Sequence, residues 1–156
     1  MLRMNRLLRS FRCCVSGVAH FVLNITEHLV DIAGFTAWSS AREPQQVFQL
    51  LETIYAAFDK IAYRHNVFKI ETVGDCYVAA AGLPNPQEEH ALIIARFARD
   101  CLQKMSDLTS KLEVSLGPDT TDLELRVGLN TGQVTVSYFS SSMIFCSLVV
   151  FSLETL

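Results

Sequence analysis

A chain of 156 residues is long enough for one domain and too short for two. Half its residues are hydrophobic and 19% are charged, which excludes wholesale disorder. The net charge of −3 argues against a non-specific nucleic-acid binder, which carries a basic excess. No apolar run reaches the roughly 18–20 residues that a membrane-spanning helix needs, yet the mean hydropathy of +0.27 is high for a soluble domain.

Residues 1–29 read as an unassigned N-terminal extension. Arg3, Arg6, Arg9 and Arg12 precede an apolar stretch, and the first acid is Glu27. Basic-then-apolar is the order of a weak targeting segment, although His20 and Asn24 interrupt the apolar part. An irregular extension is the alternative. Asn24-Ile25-Thr26 is a formal glycosylation sequon.

The compact part begins near residue 30. Leu29 and Val30 read as the end of a buried strand that delivers Asp31, with Glu27 and His28 at an edge or in a loop. Pro44 suits a first helical position, and Val47, Leu50, Leu51, Ile54, Phe58, Ile61 and Ala62 recur at helical spacing. Residues 67–72 and 76–81 form a predicted hairpin around Gly74-Asp75. Leu83-Pro84-Asn85-Pro86 is a loop. A second helix is predicted with Glu88 and Glu89 in its first turn and Ala91, Ile94, Ala95, Ala98, Leu102 and Met105 on its apolar face. After a loop at Gly117-Pro118-Asp119, Leu123, Leu125, Val127 and Leu129 alternate as a strand that Asn130-Thr131-Gly132 ends. This order predicts an α+β domain with helices on one sheet face. Residues 136–156 form an apolar, Ser-rich tail without Lys or Arg, readable as a buried strand or as an aggregation-prone segment.

Two acids stand where chemistry could be placed. Asp31 ends a strand and meets a small-residue turn, where a carboxylate can offer hard oxygen to Mg²⁺ and backbone N–H groups can approach phosphate. Asp75 lies in the hairpin turn. Each alone is ordinary turn chemistry. Together, two carboxylates from separate strand ends can hold two ions about 3.5–4 Å apart, the clamp used in phosphoryl chemistry. The cysteines (Cys13, Cys14, Cys76, Cys101, Cys146) and histidines show no zinc-ligand spacing, and Trp38 reads as a packing residue.

Three motifs make the reading specific. Asp31-Ile32-Ala33-Gly34-Phe35-Thr36, Lys69-Ile70-Glu71-Thr72-Val73-Gly74-Asp75-Cys76-Tyr77 and Leu125-Arg126-Val127-Gly128-Leu129-Asn130-Thr131-Gly132 resemble the class III nucleotide cyclase catalytic domain, in the family's order and near its spacing. The resemblance implies a ferredoxin-like antiparallel sheet with helices on one face, over residues 30–135. It implies two Mg²⁺ or Mn²⁺ ions at Asp31, Asp75 and the backbone carbonyl of Ile32. It implies a triphosphate cradle at Gly34, Phe35 and Thr36, with Gly74 in the hairpin turn beside it. It implies a purine-selecting Glu71, which favours GTP over ATP because a carboxylate accepts from guanine N1–H and its 2-amino group. An exposed strand residue is the other reading of Glu71. The implied reaction closes GTP to cyclic GMP with release of pyrophosphate, in a homodimer or a heterodimer with another cyclase domain. The implied setting is the cytoplasmic side of a membrane, and nucleic acid is not a partner.

The family's downstream Asn and Arg, which stabilise the transition state, have no counterpart here, and no Arg or Lys follows Arg126. Beyond the metal ligands no catalytic residue is identifiable. Impaired activity, a non-catalytic dimerisation or regulatory module, and a truncated gene model are the expectations that follow.

Overall fold

The computed structural model describes residues 13–15, 18–139 and 142–146, with side chains described over 25–133. The elements run β1 (Cys13–Val15), β2 (Val18–Ala33), α1 (Phe35–Ser40), α2 (Pro44–His65), β3 (Phe68–Val73), β4 (Cys76–Ala81), α3 (His90–Leu116), a 3-10 turn (Pro118–Asp122), β5 (Glu124–Phe139) and β6 (Ser142–Cys146). The strands pair in the order β3-β4-β2-β5-β6, every pairing antiparallel, with β1 also on β2. The inner unit β2-α2-β3-β4-α3-β5 is the ferredoxin-like βαββαβ arrangement.

Helices α2 and α3 cover one sheet face. Leu50, Ile54, Phe58, Ile61 and Ala62 of α2 are buried, as the periodicity predicts. They meet Val30 and Ile32 of β2 and Tyr77, Ala79 and Ala81 of β4 in the main core. Pro44 opens α2 as predicted, where Glu43 and Gln46 bond each other's backbone N–H reciprocally.

Several sequence expectations need correction. Strand β2 is sixteen residues long and lies between β4 and β5, so Glu27 and His28 sit mid-sheet and not at an edge or in a loop. His28 is fully buried, with its ring edge-on to Phe97 of α3 at 4.8 Å. A neutral imidazole fits an interior position that its charge would forbid. Asn130, Thr131 and Gly132 do not end a strand, because the long β2 continues past them and pairs them with Glu27, Thr26 and Ile25. Helix α3 starts at His90, so Glu88 and Glu89 precede it. Gln87 explains the delay: its Oε1 accepts from the Gly82 N–H at 2.7 Å and its Nε2 donates to the Asn66 carbonyl at 3.3 Å. The face of α3 is also rotated. Phe97 and Cys101 are buried, whereas Ala91, Ala95 and Leu102 are exposed. The sequon side chain, Cys13, Cys14, Cys146 and most of the tail lie outside the residues whose side chains are described.

Candidate active site

Alternation along β2 separates two faces. His28, Val30 and Ile32 point to the helices, so Leu29 and Asp31 point to the opposite, open face. Cross-strand partners share a face. The open face therefore also carries Arg126 and Gly128 of β5, opposite Asp31 and Leu29, and Val78 of β4, opposite Leu29.

Glu71 reaches this face through a β-bulge. Lys69 pairs with Ala79 and Glu71 with Val78, so one extra residue, Ile70, is inserted. Strict alternation would put Lys69 and Glu71 on the same side. The bulge sends Lys69 to the helix side, where its Nζ donates to Asp59 at 3.0 Å, and turns Glu71 to the open side.

The three predicted motifs meet at one end of the open face. Asp31 and Cys76 are the next residues after the Val30–Tyr77 pair. Burial pushes the Cys76 thiol pKa up, and the carboxylates of Asp75 and Asp31 push it further. Asp31 lies one step past the Val30–Tyr77 pair and Asp75 is joined to Cys76, so the two acids come to the same end of the sheet from separate segments. Asp75 follows Gly74, whose φ of +60° suits glycine in the turn. Gly34 follows Asp31 closely, with φ +82°, and caps α1. Phe35 stacks on the buried Trp38 at 6.4 Å, and Thr36 is exposed. Trp38 donates from Nε1 to Thr120 at 3.3 Å, and Arg42 lies over its ring while pairing with Asp119, so this end of the sheet is braced from behind. The Ile32 side chain is buried in the core, which leaves only its backbone for the site.

Sequence reasoning gave Arg126 no role. Its guanidinium donates to both oxygens of Asp31, at 3.1 and 2.5 Å, with the Arg126 side chain 70% exposed. Asp31 raises the Arg126 pKa by this bond and by its charge. A polar residue at alternate spacing between Leu125 and Val127 was the only available signal, since the cross-strand partner cannot be read from sequence.

The donor set fits a divalent ion bound with its nucleotide. Two carboxylates supply hard oxygen. Among the described residues no group of three or more His, Cys, Asp or Glu could hold an ion unaided. Mg²⁺ is commonly held by one or two carboxylates with substrate phosphates completing the shell, and that is what two acids can offer.

The catalytic domain of adenylate and guanylate cyclases matches residues 20–148 of this sequence. The chain belongs to this family. The match extends beyond residues 30–135 at both ends. The receptor-type guanylate cyclase gcy-28 of Caenorhabditis elegans is 34% identical over 119 residues, covering 76% of this chain and 9% of that protein. Human atrial natriuretic peptide receptor 2 is 39% identical over 112 residues, covering 71% of this chain and 10% of the receptor. The chain thus spans about a tenth of the length of these curated relatives. Among solved structures, a non-canonical dimeric guanylyl cyclase domain of the RhoGC fusion protein from Blastocladiella emersonii superposes with a TM-score of 0.69 at 25% identity, covering 83% of this chain and 69% of that one. These likenesses agree with the α+β fold built above. No helix among the described residues is long and apolar enough to cross a membrane.

Proposed function

We propose that the open face is a guanylyl-cyclase-type site that takes GTP with two Mg²⁺ or Mn²⁺ ions. The observation that carries this reading is the strand register, which brings Asp31 beside the Cys76 end of the hairpin that holds Asp75, with Glu71 on the same face. Asp31, Asp75 and the Ile32 carbonyl would hold the ions. When bound, the ions would lower the pKa of the ribose 3′-hydroxyl and neutralise charge on the triphosphate. Backbone amides from Gly34 to Thr36 face the phosphates, with Gly74 lining the turn opposite. Arg126, released from Asp31, offers a bidentate fork to a phosphate oxygen pair. Glu71 accepts from guanine N1–H and the 2-amino group. The 3′-oxygen then bonds to the α-phosphorus, the bond to pyrophosphate breaks, and the hydroxyl proton leaves to solvent.

Residues 127–156 contain no Arg or Lys, so this segment offers no cation to the transition state. Loss of one such donor typically costs about 10²–10³ in rate. The chain alone is therefore proposed to be a weak cyclase, and a complete cyclase domain paired with it would supply the missing donors.

The test is production of cyclic GMP from GTP with Mg²⁺ or Mn²⁺, by the chain alone and mixed with a complete guanylyl cyclase domain. The expected result is a trace alone and added product on mixing, lost in Asp75→Ala. Full activity alone overturns the impairment. Added product that survives Asp75→Ala leaves the chain a non-catalytic dimerisation or regulatory module.

A further inference from the structure

Helix α2 grips the β3–β4 hairpin from behind at two points one helical turn apart. Asp59 accepts from Tyr77 Oη at 2.9 Å and from Lys69 Nζ at 3.0 Å, which ties down both strands. Tyr55, four residues earlier and on the same helix face, reaches the turn itself. Its hydroxyl donates to the Gly74 carbonyl at 2.8 Å, and its ring lies 5.8 Å from that of Tyr77. Among the described residues the turn is otherwise closed by the Val73–Cys76 pair. Gly74 is exposed, and a Cβ built there would meet nothing within 4 Å. Glycine also gives the backbone more freedom than any other residue.

We propose that Tyr55 is a positioning residue for Asp75: its hydroxyl, carried on α2 and braced by Tyr77, fixes the Gly74 peptide and so the direction in which the Asp75 carboxylate leaves the turn. The inference rests on the metal-ligand role proposed for Asp75. Tyr55 touches neither metal nor nucleotide. It acts through one peptide unit, on the side of the hairpin away from the substrate.

The test is Mn²⁺ binding by the full chain with 3′-deoxy-GTP, read from the electron paramagnetic resonance signal of free Mn²⁺. No turnover is involved. Tyr55→Phe keeps the ring and removes only the hydroxyl, and it should weaken Mn²⁺ binding about three- to tenfold, the range for one lost hydrogen bond. Tyr77→Phe, which removes a hydroxyl bonded to Asp59 and not to the turn, should leave Mn²⁺ affinity unchanged. A lower thermal midpoint with unchanged Mn²⁺ affinity in Tyr55→Phe overturns the proposal, as does equal weakening in Tyr77→Phe. Asp75→Asn is titrated alongside. If it weakens binding and Tyr55→Phe does not, only the positioning role fails. If Asp75→Asn also binds Mn²⁺ normally, the metal-site reading fails with it.

Discussion

His28 makes the domain acid-labile by a calculable amount. It is fully buried on β2 and faces Phe97. No well-formed hydrogen bond reaches either ring nitrogen among the described residues. Burial pushes its pKa down to about 3, against a smaller upward push from its own backbone. In the unfolded chain a histidine titrates near 6.5. Between these values the unfolded state binds more protons than the native state, so stability falls as pH falls. The contribution is fully present above about pH 6.5 and is lost progressively down to about pH 3. At about 1.4 kcal/mol per unit, moving from pH 7.5 to pH 5 should cost about 2 kcal/mol through this residue. The perturbation is His28→Leu, which removes the titrating ring and keeps an apolar side chain. Urea unfolding at both pH values measures it. The wild type should lose about 2 kcal/mol more than His28→Leu, a shift in midpoint of about 1 M. The substitution itself should be neutral or stabilising at pH 7.5, because it removes two buried polar atoms that lack partners. Equal pH dependence in the two proteins would refute the reasoning, since the slope would then come from other groups.

Three further outcomes are expected. Phe58, 1% exposed and edge-on to Tyr77 at 5.5 Å, should cost about 3–5 kcal/mol as Phe58→Ala, measured by the same urea titration. Arg126→Ala should weaken GTP binding about tenfold or more and leave guanosine binding unchanged, because only the triphosphate offers the guanidinium a partner; isothermal titration with both ligands checks this. Glu71→Lys should lower the ratio of GTP to ATP affinity by about tenfold in a competition assay with a fluorescent GTP analogue, since a cation cannot accept from the guanine edge.

The fold was largely legible because its signals are local. The α2 stripe, the turn at Gly74-Asp75 and the alternation after Leu123 each follow from neighbours a few residues apart. What sequence reasoning missed depends on distant partners. Nothing near His28 says that β4 and β5 will flank it, yet that flanking turns an apparent edge into a core position. The rotation of α3 shows in Phe97 and Cys101, which are buried where Ala95 and Leu102 were expected. In the site, Asp31, Glu71 and Asp75 stood out by motif, whereas Arg126 and Tyr55 are defined only by the cross-strand pair and the helix–turn contact that they make.

The two sheet faces divide the work. The helix face holds most of the buried apolar side chains, together with His28 and the Tyr55–Asp59 grip on the hairpin. The open face carries Asp31, Glu71, Arg126 and the partly exposed Leu29 and Val73, and no helix among the described residues covers it. A charged row backed by a packed sheet has fixed directions without being buried. Such a row can change partners, as the proposed metal role would require of Asp31 in leaving Arg126, without disturbing the core behind it. The bulge at Ile70 makes this division possible for β3, since it lets Lys69 and Glu71, two residues apart, serve opposite faces: Lys69 the fold, Glu71 the candidate site. Deleting Ile70 should therefore leave Lys69 opposite Ala79 and Glu71 opposite Val78, each on its present face, because it removes only the extra residue; what is lost is the packing of Ile70 against Ile25, Ala80 and Leu83.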